Sequence, residues 1–334
     1  MTEANARLMQ KLRKLESDYA AQPSFEVARA MMDLRIQGGA SGCKTAAPWI
    51  AGHDDRFAGV PSFPEIELEQ LNAESLRAGI LGRGAIIVRN LMDADDASRL
   101  REQISRALGS PARIRPGSTH EQGSDTWFHR SPLINGSAQG PASVASGDLS
   151  PTSGSVWSAD APVIAAELVA FYNRLGLREM LCSYFNEQAR LSVRKWVLRC
   201  VPPKKGGNHG WHQDGRFMGS GIRSVNLWVA VSDCGPGTSA PGLELVADNR
   251  RIIHETGTQG AFFDWTVGHE LVAELQQQHP VICPTFRAGD AIFFDHFCLH
   301  RTGEGPSDTL PRYAVESWFF AESTAPVKQQ PLLF

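Results

Sequence analysis

Apolar and polar positions change period along this chain. Over residues 1 to about 37 the period is helical: Leu8, Leu12 and Leu15 recur among charged neighbours, and Phe25 to Leu34 continues the pattern. Gly38-Gly39-Ala40-Ser41-Gly42 breaks it. Residues 66 to 110 alternate between the two periods. They predict a helix near Leu71 to Leu81, a strand over Ala85 to Val88 and a helix over Asp95 to Leu108, with Asp93 or Asp95 placed to cap the last. Residues 161 to 186 read as helical. From Leu191 onward, short β-runs alternate with Gly/Pro turns: Leu191–Val201, Ser224–Ser232, Gly242–Ala247, Pro280–Cys283, Ala291–Phe294 and Arg312–Phe320.

Many short strands separated by such turns predict a β sandwich or barrel. The fold expected is mainly β, with helices of the N-terminal half buttressing one sheet. The domain boundaries expected are a helical extension over 1–65, a main domain over 66–322 and a tail over 323–334. Inside the main domain, residues 110–160 are rich in Gly, Ser and Pro and show little periodicity. Loops of that length are functional or disordered, so a lid is expected there. Trp127, Phe128, His129 and Arg130 form one aromatic-basic cluster within it. The cluster has two readings, a contact to substrate or a packing anchor.

Composition narrows the classes. A chain of 334 residues can bury a large core, as one big domain or two small ones. A net charge of −3 gives no electrostatic case for nucleic acid or an anionic membrane. No run of apolar residues is long enough to span a bilayer, and Met1-Thr2-Glu3-Ala4-Asn5 does not open a signal peptide. The cysteines Cys43, Cys182, Cys200, Cys234, Cys283 and Cys298 form no C-x-x-C pair. They read as free thiols in a reducing cytoplasm, a compartment that also suits Fe(II). Nothing in the sequence sets an oligomeric state.

The chemistry concentrates in Trp211-His212-Gln213-Asp214-Gly215, with His300 and Arg312 far downstream. Two histidines and a carboxylate can hold one face of an octahedral Fe(II) and leave the other positions open. In an extended strand, positions i and i+2 point to the same side, which would aim His212 and Asp214 at one ion. His300 ends a segment that reads as a turn at Gly289-Asp290, a buried apolar strand and a polar tip; Arg301-Thr302-Gly303 reads as the turn that follows. Arg312 could grip a carboxylate in a bidentate fork. The rival readings are modest. His209, His254, His269, His279 and His296 read as surface or hydrogen-bonded histidines, and His296 is the only competitor to His300. Asp290 reads as a turn-shaping residue. Arg199, on the strand before the metal motif, reads as a strand charge that could face the pocket.

These residues resemble the phytanoyl-CoA dioxygenase-like family of Fe(II)/2-oxoglutarate oxygenases, which includes ectoine hydroxylases. The family pattern is W-H-x-D-G, a tryptophan-bearing strand, a G-D-x-x-x-F run ending in histidine, then a hydroxyl residue and an arginine. Here it is met by Trp211 to Gly215, Trp228, Gly289-Asp290, His300, Thr302 and Arg312, and Gly84 to Asp93 resembles its opening element. The resemblance spans roughly residues 75 to 322. It implies a double-stranded β-helix of jelly-roll, cupin-like type. It implies Fe(II) on His212, Asp214 and His300, and 2-oxoglutarate with its distal carboxylate on Arg312 and Thr302. Trp228 and Arg199 would line the co-substrate site, O2 would be consumed, and succinate and CO2 released. Because Asp214 is present, hydroxylation of an unactivated C–H bond is favoured over halogenation. Two departures stand out. The family's P-G-S-H element is absent from Pro241 to Arg250, and its usual lysine before a proline is replaced by Val201-Pro202. The substrate expected is a free small molecule, a natural product, metabolite or amino-acid derivative. The alternatives are a Zn(II) or Mn(II) cupin-type hydrolase or isomerase, and a non-catalytic binding protein on the same fold. No hydrolase elbow, dinucleotide fingerprint or P-loop is present.

Overall fold

The computed structural model describes residues 3–39, 48–109, 127–129, 131, 133–134, 154–203 and 210–334. The N-terminal helical pattern divides into α1 (Glu3–Ala21) and α2 (Phe25–Gly39). Pro23 interrupts the run, and the Ser24 hydroxyl accepts from Val27 N at 3.2 Å to start the second helix. After β1 (Glu65–Glu67), α3 (Ala73–Arg83) opens on a reciprocal cap between Asn72 and Ser75. It closes at Gly84, whose φ of 90° suits glycine. Next come β2 (Ala85–Arg89) and α4 (Ala94–Gly109). Of the two expected caps, Asp93 is the one used; its carboxylate accepts from Asp96 N at 2.7 Å. β3 (Ser155–Trp157) precedes α5 (Pro162–Arg174) and α6 (Leu177–Phe185), which share the expected 161–186 helix and part at Gly176, φ 63°.

The second half is β4 (Ala189–Val201), the short α7 (Gly215–Met218), β5 (Ser224–Ala230), β6 (Gly242–Val246), α8 (His269–Leu275), β7 (Val281–Ile282), β8 (Ala291–Phe294), β9 (His300–Gly303), β10 (Arg312–Ala321) and β11 (Pro331–Leu332). An eight-stranded sheet runs β1-β2-β8-β5-β10-β4-β11, with β3 beside β4; a three-stranded sheet runs β7-β6-β9. Strict alternation sorts the side chains of the large sheet. Ile86, Val88, Val225, Leu227, Val229, Val315 and Phe319 join the helices in one core. Ala85, Ile87, Trp228, Ile292, Phe294, Trp318 and Phe320 face the small sheet and meet Leu243 and Leu245. The result is an open two-sheet jelly-roll sandwich rather than a closed barrel, buttressed by helices on one side, as expected.

The structure departs from the sequence reading at several short elements. Arg301-Thr302-Gly303 is not a turn; with His300 it forms β9, which pairs with β6 in the small sheet. The turn lies earlier, at 295–299, where the chain leaves one sheet for the other. Within 323–334, the expected tail, β11 pairs with β4, and Phe334 is buried against Phe319 with ring centroids 4.8 Å apart. α8 was not foreseen, nor were β1, β3 and β11, which are too short to show a period. Most of the expected 110–160 lid lies outside the described residues. Among the described residues no helix is long and apolar enough to cross a membrane. Cys182, Cys200, Cys234, Cys283 and Cys298 are free, while Cys43 lies outside the described residues.

Candidate active site

His212 and His300 are brought together by one rung of backbone pairing. Each donates its amide to the other's carbonyl at 3.0 Å, and their ring centroids lie 4.3 Å apart. Asp214 arrives by a different geometry from the one expected. It is not the second position of an extended strand. Its φ of −64° and ψ of −24° make it the N-cap of α7, so a turn swings its carboxylate back beside the imidazoles. One ligand atom from each of the three residues lies within 4.8 Å of the others. The donor set can hold a divalent ion of the kind that accepts nitrogen and oxygen.

Hydrogen bonding aims these ligands. His212 Nδ1 lies 3.0 Å from Gly210 O, and His300 Nδ1 lies 3.0 Å from Cys298 O. Each carbonyl fixes the proton on Nδ1 and leaves Nε2 as the free lone pair. Burial, reinforced by His300, pulls His212 down to about 4, so its ring is neutral and ligand-ready at neutral pH. Burial opposes charge on Asp214, but Lys195 and then the two histidines outweigh it and hold the carboxyl well below its ordinary value. Lys195 Nζ sits 2.6 Å from Asp214 Oδ1, while Oδ2 is 3.7 Å from His300 Nε2. Gln213, pointing away, ties the loops behind: its amide donates to Ile252 O and Phe297 O and accepts from His254 N.

The site opens into a cavity of about 390 Å³ whose lining includes the three ligands, Lys195, Arg199, Asn226, Trp228, Trp265, Thr302 and Arg312. Arg312 shares this lining. It is 2% exposed, yet its partners are neutral: Thr302 Oγ1 at 3.2 Å and the carbonyl of Gly242. No carboxylate among the described residues pairs with it, and its Nε has no partner. Trp228 lies beneath, 5.5 Å from the guanidinium carbon to the ring centroid. Arg199 also lines the cavity, but its charge is taken by Glu316, with Nη2 3.0 Å from Oε2. Asn226, on the same strand face as Trp228, has a buried Oδ1 without a partner.

The remaining expectations separate cleanly. His296 is hydrogen-bonded in the core, with Nδ1 2.8 Å from Ser224 Oγ and its ring buried. Asp290 accepts from Asn90 N, Arg287 N and Arg89, which is the turn-shaping role. Trp127, Phe128 and His129 do not line the cavity. Phe128 is buried in the helical core, Trp127 lies under Arg106, and His129 meets Phe25 edge-on with centroids 5.7 Å apart. That is the packing-anchor placement; Arg130 and His209 lie outside the described residues. Sequence reasoning missed Lys195. A signal was there, since Lys195 and Arg199 fall on the same face of one strand by period two. It also missed Trp265 and Phe217, because neither sits in a periodic element.

Residues 82–314 match the family model described as phytanoyl-CoA dioxygenase (PhyH). No curated protein matches the chain. Among solved structures, the chain is similar to EctD from S. alaskensis with 2-oxoglutarate and 5-hydroxyectoine. Identity is 17% over 72% of this chain and 73% of that one, with a TM-score of 0.49. The 2-oxoglutarate-dependent carbocyclase SnoK from nogalamycin biosynthesis is 14% identical over 76% and 85%, TM-score 0.47. EvdO2 from Micromonospora carbonacea var. aurantiaca, complexed with 2-oxoglutarate, is 14% identical over 82% and 94%, TM-score 0.44.

Proposed function

The chain belongs to the phytanoyl-CoA dioxygenase family and is an oxygenase-type enzyme, and we propose that it hydroxylates an unactivated C–H bond of a free small molecule using Fe(II), 2-oxoglutarate and O2. One observation carries this reading. A His/Asp/His ligand set and a buried arginine without a carboxylate partner among the described residues line one cavity. An ion pairs with the first, and the far carboxylate of a dicarboxylate pairs with the second. A buried guanidinium left unpaired is costly, so an anionic ligand is the natural complement of Arg312.

The residues divide the work. His212, Asp214 and His300 would hold the ion, with both imidazoles pre-oriented through Nδ1. Lys195 engages Oδ1 of Asp214 and leaves Oδ2 toward the histidines, which favours ligation through one oxygen. Arg312 and Thr302 would bind the distal carboxylate of 2-oxoglutarate over Trp228. When bound, Fe(II) with 2-oxoglutarate supplies oxidative decarboxylation to succinate and CO2, coupled to oxidation of a substrate C–H bond. Glu316 neutralises Arg199, so that Arg312 is the cation left for the co-substrate. With Asp214 in place the ligand set is complete, which supports hydroxylation over halogenation. Anaerobic titration with Fe(II) and then 2-oxoglutarate should produce a visible charge-transfer band, and a substrate screen should be read by succinate. Turnover with Zn(II) and without 2-oxoglutarate would instead establish the hydrolase reading.

A further inference from the structure

A run of aromatic rings leads from the ligand set to the surface. Trp265 meets His212 edge-on, with centroids 5.8 Å apart, and lines the cavity beside Phe217, 6.0 Å away. Phe263 stacks on Trp265 at 5.4 Å with only 5° between planes, and Phe262 stands edge-on to Phe263 at 4.7 Å. Phe262 and Phe263 are 60% and 44% exposed, an unusual use of large apolar side chains beside a cavity-lining tryptophan. The turn that carries them is fixed in advance. Thr266 Oγ1 accepts from Phe263 N at 3.0 Å and donates to its carbonyl, and Val267 N donates to Trp211 O at 2.8 Å. Gly210, next to the metal motif, admits this turn: a Cβ there would collide with Thr266.

Among the described residues, charge in the same cavity is already spent. Lys195 faces Asp214, Arg199 faces Glu316 and Arg301 faces Glu244. Arg312 is assigned to the co-substrate. The lining cations therefore offer nothing for an anionic or zwitterionic substrate, while the wall offers π faces.

We infer that Trp265 and Phe217, with Phe263 stacked on Trp265, form the recognition wall for the prime substrate, and that this substrate is a neutral, planar, ring-bearing molecule. The inference rests on the oxygenase reading above for the word substrate. Stacking needs a flat apolar partner, and a thioester of CoA or a free amino acid would bring charges that no free group among the described lining residues meets.

The test is calorimetric titration of the full-length protein, anaerobic with Fe(II) and 2-oxoglutarate, using flavone, L-proline and acetyl-CoA as probes. Flavone should bind saturably and the other two weakly or not at all. Trp265→Ala should raise the flavone Kd at least tenfold, and Trp265→Phe, which keeps a ring and guards against misfolding, should recover most of it. Tighter binding of proline or acetyl-CoA, or a flavone Kd indifferent to Trp265→Ala, would overturn the inference. The charge-transfer band on the same samples separates the two claims. A band with no Trp265-dependent flavone binding removes the wall and keeps the oxygenase. Trp265-dependent flavone binding without a band keeps the wall and removes the oxygenase.

Discussion

The two faces of β10 differ in what they are built to do. On one face, Tyr313, Val315, Ser317 and Phe319 point into the helical layer, where Val315 and Phe319 are fully buried and Ser317 meets Tyr172 Oη at 2.7 Å. On the other, Arg312 and Glu316 line the cavity among Trp228, Asn226 and the ligand set. One strand thus carries a closed, satisfied apolar layer on one side and buried charge on the other. Buried charge costs stability unless it is paired, so its presence on one face alone marks where the chain gives up stability for ligand binding.

Substitutions should respect that division. The largest effect falls on the ligand face: His300→Ala should abolish turnover and remove tight Fe(II) binding, because two remaining ligands hold the ion poorly. His296→Ala should keep both. Succinate release and metal titration on the pair would reverse the distal assignment if the outcomes were exchanged. On the helical face, Trp196→Ala should cost about 3–5 kcal/mol of unfolding free energy in urea. Its ring is fully buried and its Nε1 donates to Tyr172 Oη at 3.2 Å. A small loss there would mean that this layer can collapse around a hole.

Arg312→Ala should raise the apparent KM for 2-oxoglutarate by an amount worth about 2–5 kcal/mol, with metal binding retained. It should not lower the melting temperature of the ligand-free protein, since an unpaired buried cation is removed. An unchanged 2-oxoglutarate dependence would move the role to another basic residue, with Arg199 or Arg301 next in line. The smallest effect is titration of His296. Burial, opposed by Asp295, holds it below its ordinary value, so the folded protein prefers it neutral. Its contribution is fully present above about pH 6.5 and is lost as acid charges the ring. His296→Gln should flatten that acid-side loss in paired melts at pH 5 and 7.5; parallel curves for the two proteins would contradict it.

The same division explains what was legible in the sequence. The ligand set, Thr302 and Arg312 were readable because motif and spacing survive without knowledge of the fold. The long β-runs were readable because alternation over β4, β5 and β10 repeats enough times to register. β9 was read as a turn because Arg301, Thr302 and Gly303 show no apolar period; their strand exists only through pairing with β6. The backbone at Asp214 escaped for a similar reason, as H-x-D spacing cannot distinguish a strand from a strand-to-helix corner. Lys195 was overlooked because its partner, Asp214, lies 19 residues on, at a corner outside its strand. Trp127 to His129 left two readings open, a contact to substrate or a packing anchor. Aromatic residues in a polar stretch signal burial, but composition does not say into which of two cores.

The excursion that carries Trp265 leaves β6 and re-enters at β7, and Leu245–Val246 pairs directly with Val281–Ile282. Ala247 N also donates to Pro280 O at 3.0 Å. Its two feet are therefore welded together, and its interior is tied to the metal motif by the Trp211–Val267 rung and by the Gln213 amide, which bonds Ile252 O and His254 N. Because closing a loop costs little more as it lengthens, the parts of this stretch that lie between its ties to the metal motif can change length at little cost to the sheet. It is a cassette: diversification of what the enzyme accepts can proceed there while the chemistry stays anchored.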